Sequence, residues 1–158
     1  MSVIHFHAVT TSTPEQFIAG LTDFGPGRSK IFKNSADSYL MVHNKGPHQA
    51  DVTEGSGGVW ERLVYNWFDA SHPRLKTIDS NMFGGASGYT YTLRRQSDGT
   101  TLIDVVIVRE GKNLKGLVLS GVLGSIGKRS LRKAFEHSVR AIESRNATNT
   151  AEGTAAVS

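Results

Sequence analysis

Polar side chains able to do chemistry lie in the middle of the chain, where they alternate with apolar residues at the spacing of a β-strand. If residues 69–73 form the loop of a hairpin, Leu63 lies opposite Asp79 on the face that we expect to be buried. The opposite face carries solvated charges such as Arg62 and Lys76, as is typical of a half-buried antiparallel pair. The predicted inward set is Glu61, Leu63, Tyr65, Trp67, Leu75, Thr77, Asp79 and Asn81.

Two later segments extend this face. Tyr89 and Tyr91 alternate with threonines, so both phenols should point inward. On the last strand two registers, one residue apart, are open. We favour the register that turns Arg109 inward, because it leaves Asp104 and Glu110 outward. The other register would turn Arg109 to solvent.

The inward polar groups support two functional interpretations and a structural one. A few converging polar groups in an apolar pocket can orient a bound ligand. In an enzyme, Asp79 would act as the base while Tyr91 polarises a carbonyl group. In the structural interpretation, Asp79 pairs with Arg109 or caps the turn at Gly84 and Gly85, since buried charges are rarely left unpaired.

Local signals predict the elements that position these residues. A strand over residues 3–10 precedes a helix start at Thr13, where Pro14 and Gln16 complete a capping box. A second short helical turn is expected over residues 28–33. From residue 38 to residue 110, turn residues divide the chain into six antiparallel strands. A C-terminal helix ending near residue 145 then buries a stripe at helical spacing, namely Leu131, Phe135, Val139 and Ile142.

Composition excludes several classes of site. The 158 residues include no cysteine, which rules out disulfides, thiolate catalysis and cysteine-ligated metal clusters. His5 and His7 share a strand face, but no third ligand stands out, and the glycine-rich segments lack a phosphate-loop lysine. We therefore expect no metal and no cofactor. The N-terminus has no signal-peptide pattern, and the longest apolar stretch is about half of the roughly 20 residues that a membrane span needs, so a cytoplasmic location is expected.

Positive charge is concentrated near the C-terminus, where residues 111–145 contain eight basic and two acidic side chains. Within this segment, residues 114–126 are apolar but weakened by glycines, which suits either a gate over a cavity or a completed core. Lys112, Lys115, Lys128 and Arg129 flank the apolar stretch, so a transient contact with an anionic membrane is one possibility. The segment lacks interleaved aromatic residues and any nucleic-acid-binding module, so no nucleic acid is expected.

Several short motifs sharpen this interpretation. They are VYNWFD at 64–69, TIDSNMFGG at 77–85, YTYTL at 89–93 and VREGKNLKG at 108–116. Together with the order of elements, they resemble the SRPBCC or START-like superfamily, which includes polyketide cyclase/dehydrase and lipid-transport domains. The resemblance covers residues 3–145. It implies an α+β helix-grip fold, in which a curved seven-stranded antiparallel sheet wraps around a long C-terminal helix and two short helices follow the first strand.

The resemblance also implies a cavity for a hydrophobic molecule between the sheet and the C-terminal helix, with Leu131 and Phe135 on its helical side. We expect residues 1–145 to form a single ligand-binding domain and residues 146–158, which are small and polar, to form a disordered tail. The leading hypothesis is the binding or carrying of a lipid, isoprenoid or polyketide-like molecule. The alternative is a cyclase, dehydratase or isomerase acting in the same cavity, and a monomer and a homodimer both remain open.

Overall fold

The computed structural model describes residues 1–125 and 127–157, without the side chains at positions 120, 122–125, 151 and 154–157. Eleven elements follow one another along the chain. They are β1 Ser2–Thr10, α1 Pro14–Leu21, a 3-10 turn Arg28–Lys30, β2 Met41–Lys45, β3 Gln49–Ser56, β4 Val59–Asn66, β5 Arg74–Ser80, β6 Gly88–Arg95, β7 Thr101–Arg109, α2 Leu114–Ser125 and α3 Lys128–Val157.

The strands form one open antiparallel sheet in the order β1-β7-β6-β5-β4-β3-β2. Helix α3 lies against the sheet and contributes Val139 and Ile142 to the buried core. Helix α1 packs on α3 so closely that a Cβ atom at Gly20 would lie 2.7 Å from Ile142 Cγ1, which explains a glycine at that position. The α+β helix-grip prediction is confirmed.

The predicted start of α1 is also confirmed. The Gln16 amide donates to Thr13 Oγ1 at 3.1 Å, and the Thr13 amide donates to Gln16 Oε1 at 2.8 Å. Pro14 occupies the first helical position, where the missing N–H has no partner to lose. These reciprocal bonds fix the corner between β1 and α1, from which Phe17 and Leu21 point into the interior.

The hairpin of β4 and β5 differs from its predicted register. Leu63 pairs with Thr77 rather than with Asp79, because the loop begins two residues earlier than expected. The cause is turn chemistry at Asn66, whose Oδ1 accepts a hydrogen bond from the Phe68 amide at 3.0 Å and ends the strand. A shift of two residues preserves which side chains face inward, so most of the predicted inward face survives.

A bulge in β5 changes the remainder of that face. The pairing passes from Leu63 opposite Thr77 to Arg62 opposite Asp79, which leaves Ile78 as the extra residue. One extra residue reverses the alternation of side chains. Asp79 therefore points to the outer face, and Ser80 takes the buried position instead.

The end of the chain differs as well. Helix α3 continues to Val157 instead of ending near residue 145, so residues 146–157 are helical here and not the expected disordered tail. The segment contains no proline, and alanine and glutamate within it favour a helix. Two contacts hold α3 against the domain where the tail was predicted to begin: Arg145 pairs with Asp23 at 2.7 Å, and Asn146 Nδ2 donates to Ser12 Oγ at 3.0 Å. Among the described helices, none is both long enough and apolar enough to cross a membrane.

Candidate functional site

A cavity of about 300 Å³ lies between the sheet, α1 and the N-terminal half of α3. Its volume falls at the lower end of the range typical of small-molecule sites. Apolar and aromatic side chains make up most of its wall. Seven of the residues predicted to bind a ligand line it: Leu63, Tyr65, Tyr89, Tyr91, Arg109, Leu131 and Phe135.

Aromatic rings shape the wall on both sides. Phe135 from α3 stacks on Phe6 of β1, with ring centroids 5.8 Å apart. Phe17 from α1 packs against Tyr91 at the same centroid distance. Aromatic pairs of this kind stabilise packing beyond the burial of their surface, so these two contacts fix the positions at which the helices meet the sheet. The space between them is the cavity.

Buried Arg28 forms the first polar cluster in the wall. Its Nε donates to Glu54 Oε1 at 2.6 Å, and its terminal nitrogens donate to the Asp23 carbonyl at 2.7 Å and the Tyr65 hydroxyl at 3.1 Å. The Tyr65 hydroxyl also bonds to Glu54 Oε2, and Ser35 Oγ donates to Glu54 Oε1 at 2.7 Å. Glu54 therefore accepts three hydrogen bonds, two at Oε1 and one at Oε2.

The surroundings of Arg28 keep it charged. Its guanidinium carbon lies 4.7 Å from the ring centroid of Phe24 and 4.6 Å from that of Phe32. Burial by itself lowers the pKa of Arg28, but Tyr65 and Glu54 favour the charged form and leave the pKa above its ordinary value. The pair is thus a permanent cation and its counterion.

Arg109 at the end of β7 forms the second polar cluster. Its guanidinium lies 3.1 Å from Glu61 Oε1 and donates to the Tyr89 hydroxyl, and Thr77 donates to Glu61 Oε2 at 2.8 Å. The guanidinium carbon lies 4.6 Å from the ring centroid of Tyr89 and 4.9 Å from that of Phe83. The favoured register of the last strand, with Arg109 inward, is the one observed.

The two clusters meet at their acidic ends. Glu54 and Glu61 are directly opposed on β3 and β4, and both are buried. Two opposed carboxylates repel each other unless each is neutralised. Here each glutamate has its own arginine, so the four charges form a row that sums to zero.

Tyr91 stands apart from both clusters. Its side chain lines the cavity, and only 7 % of the residue is exposed. Among the described residues, no hydrogen-bond partner of its hydroxyl is found. By contrast, the Tyr65 hydroxyl bonds to an arginine and a glutamate, and the Tyr89 hydroxyl bonds to an arginine. Tyr91 is thus the phenol that is available to a bound molecule.

Burial gives the three cavity tyrosines a measurable signature. It raises the pKa of Tyr65 and of Tyr91 well above the ordinary value, and it raises the pKa of Tyr89 to about 12. Because an unfolded tyrosine ionises near pH 10, the unfolded state loses protons first, and stability should fall as the pH rises from about 10 to about 12. A titration of phenolate absorbance alongside circular dichroism checks this: we expect three of the four tyrosines to ionise together with unfolding. Ionisation of all four tyrosines while the fold is intact would contradict it.

Three predicted site residues lie elsewhere. The Asp79 side chain is 58 % exposed and lies 3.4 Å from Lys112 Nζ, which excludes the predicted pair of Asp79 and Tyr91. Asn81 Oδ1 accepts from the Trp60 amide at 3.0 Å and so supports the turn between β3 and β4. Trp67 lies beyond the end of β4, where it packs against the core without lining the cavity.

Two further predicted residues, Glu61 and Thr77, are buried but stand behind Arg109 rather than on the cavity surface. Sequence reasoning missed the other cluster. Glu54 continues the inward alternation of Ala50 and Val52 on β3, and that period could have revealed it. Arg28 follows a glycine-rich turn and carried no comparable signal.

No family model matches this sequence, and no curated protein matches it. Solved structures do resemble the fold. A protein from Thermus thermophilus is 14 % identical with a TM-score of 0.66, and the match covers 90 % of this chain and 95 % of the other. A START superfamily protein from Mycobacterium smegmatis is 13 % identical with a TM-score of 0.65, over 90 % and 99 % of the chains.

The Zhui aromatase/cyclase from Streptomyces sp. R1128 is 12 % identical with a TM-score of 0.61, over 90 % of this chain and 94 % of that one. Identities this low establish a shared fold and carry no residue roles. The chain has the START-like helix-grip fold, as its motifs predicted.

Proposed function

We propose that this protein binds and carries a hydrophobic small molecule in the cavity between the sheet and α3. The observation that supports it most is the mostly apolar cavity of about 300 Å³ with a few polar groups converging on it. The structural neighbours include a START superfamily protein and an aromatase/cyclase, which are compatible with a ligand of this kind. The molecule would be a lipid, isoprenoid or polyketide-like compound.

Carriage is favoured over catalysis by the state of the buried carboxylates. A general base needs a free lone pair within reach of the substrate. Glu54 already accepts bonds from an arginine, a serine and a tyrosine, and Glu61 accepts from an arginine and a threonine. Asp79 lies on the outer face of the sheet. A cyclase, dehydratase or isomerase would therefore have to use as its base a buried carboxylate that is already paired with an arginine.

The proposal can be tested with an uncharged fluorescent probe, N-phenyl-1-naphthylamine. We expect saturable binding of one probe per chain, with a blue-shifted and enhanced emission, because the probe leaves water for an apolar wall. Retention of that signal at high salt would separate cavity binding from surface adsorption through charge. A linear, non-saturating rise in emission would overturn the proposal.

We also propose that ligand exchange takes place at an anionic membrane surface. Helix α2 exposes Leu114, Leu117 and Val118, and it contacts α3, whose first turns expose a basic cluster. Val122, Leu123 and Ile126, also part of the predicted gate, lie outside the described side chains. An apolar patch beside positive charge suits the surface of an anionic bilayer. The exposed basic residues of the cluster are Lys128, Arg129, Arg132 and Lys133.

Co-sedimentation with vesicles tests this surface. We expect the protein to sediment with phosphatidylglycerol vesicles but not with phosphatidylcholine vesicles, and to be released by salt. Val118→Glu should weaken sedimentation severalfold, whereas Ile78→Glu, an equally apolar exposed site on the sheet, should not. Equal sedimentation with both vesicle types would contradict the membrane contact.

A further inference from the structure

The two buried cations in the cavity wall already have counterions. Arg28 and Glu54 are joined at 2.6 Å, and Arg109 and Glu61 at 3.1 Å. The remaining charge on the lining is Lys33, which is exposed to solvent at the mouth. Apart from Lys33, a negatively charged ligand would therefore meet only cations that already have a glutamate counterion.

An unpaired charge in such an interior is costly. Burying a carboxylate without a partner costs several kcal/mol after relaxation. Among the phenols that line the cavity, the Tyr91 hydroxyl is the one for which no partner is found in the described part of the chain. Because Tyr91 lines the cavity and its hydroxyl is not a buried atom left unsatisfied, a bound molecule can reach it and become its partner.

We infer that the cavity selects an uncharged ligand carrying one hydroxyl or carbonyl oxygen, which hydrogen-bonds to the Tyr91 hydroxyl, and that it rejects carboxylates. This inference rests on the proposed function and specifies its ligand. The apolar body of the molecule fills the aromatic part of the cavity. The two ion pairs act as neutral walls rather than as anion sites.

Three probes of one ring system test the selection on the unmodified protein. They are naphthalene, which has no oxygen, 2-naphthol, which is neutral at pH 7, and 2-naphthoate, which is anionic. We expect 2-naphthol to bind about fivefold more tightly than naphthalene, the value of one net hydrogen bond. The 2-naphthoate anion should bind at least about a hundredfold more weakly than 2-naphthol.

Two variants assign the selection to residues. Tyr91→Phe should bring the affinity for 2-naphthol down to that for naphthalene. Glu54→Gln removes the counterion of Arg28 but keeps an acceptor for Ser35, so it should raise the affinity for 2-naphthoate relative to 2-naphthol. Asp51→Asn is the matched control: it makes the same change of charge on the same strand, but its partner Arg62 lies on the outer face, so the preference should not move.

The outcomes distinguish the selection from the proposed function. If 2-naphthoate binds to the unmodified protein as tightly as 2-naphthol, the selection is overturned while the proposed function stands. If Tyr91→Phe leaves the preference for 2-naphthol over naphthalene unchanged, Tyr91 is not the ligand's partner. If none of the three probes binds, the proposed function itself fails. Circular dichroism of each variant confirms that the binding comparison is made between folded proteins.

Discussion

Replacing Arg28 with methionine is expected to lower the free energy of unfolding by about 3–5 kcal/mol, because it leaves the Glu54 carboxylate buried without its cation. Only 2 % of the Arg28 side chain is exposed, so water cannot take over its role. A domain of this size is stable by roughly 5–15 kcal/mol, and the loss is therefore a large fraction of the total. Urea denaturation followed by circular dichroism measures it.

The double variant Arg28→Met, Glu54→Gln separates an uncompensated charge from lost packing. Removing both charges should recover about 2 kcal/mol or more, since the penalty comes from the unpaired carboxylate. Arg62→Met is the control on the outer face, where a bidentate but solvent-exposed pair with Asp51 should contribute little to stability. Equal losses for Arg28→Met and Arg62→Met would show that the buried row of charges has no special cost.

Replacing Ala134 with tryptophan is expected to reduce the binding of N-phenyl-1-naphthylamine by more than about tenfold. Ala134 lines the cavity from α3, and an indole at this position would occupy the space that the probe needs. Because the cavity offers room for the ring, the free energy of unfolding should change by less than about 1.5 kcal/mol. A fluorescence titration and a denaturation curve on the same sample measure the two quantities.

Ala147→Trp is the matched control, since it places the same ring at an exposed position of the same helix. It should change neither probe affinity nor stability. If Ala134→Trp binds the probe as tightly as the unmodified protein, then the probe sits elsewhere. If Ala147→Trp also loses binding, the loss cannot be assigned to the cavity.

Period-two alternation predicted the inward direction of most site residues, and its failure at Asp79 has a local cause. Alternation holds only while the strand pairing is regular, and the bulge at Ile78 reverses it for the residues that follow. Nothing in the composition of residues 74–82 distinguishes a bulged strand from a regular one. The predicted length of the loop between β4 and β5 was also wrong, because the side chain of Asn66 ends β4 before the turn residues at 69–73.

The capping box at Thr13 and the apolar stripe of α3 were predictable because their signals are local and involve only neighbouring turns of the chain. The ion pair of Arg28 and Glu54 was not, since it joins residues 26 positions apart across a tertiary contact. The opposition of Glu54 and Glu61 likewise depends on the register of β3 and β4. The polar clusters of the cavity therefore depend on long-range pairing, whereas the helices that surround the cavity could be predicted from local signals.

Occupancy of the interior cavity can be observed by native mass spectrometry of the protein with N-phenyl-1-naphthylamine. For the unmodified chain and for Ala147→Trp, we expect one added molecule of the probe per chain. For Ala134→Trp we expect the mass of the bare chain under the same conditions. A probe adduct that persists on Ala134→Trp at the same abundance would contradict the conclusion that the ligand occupies this cavity.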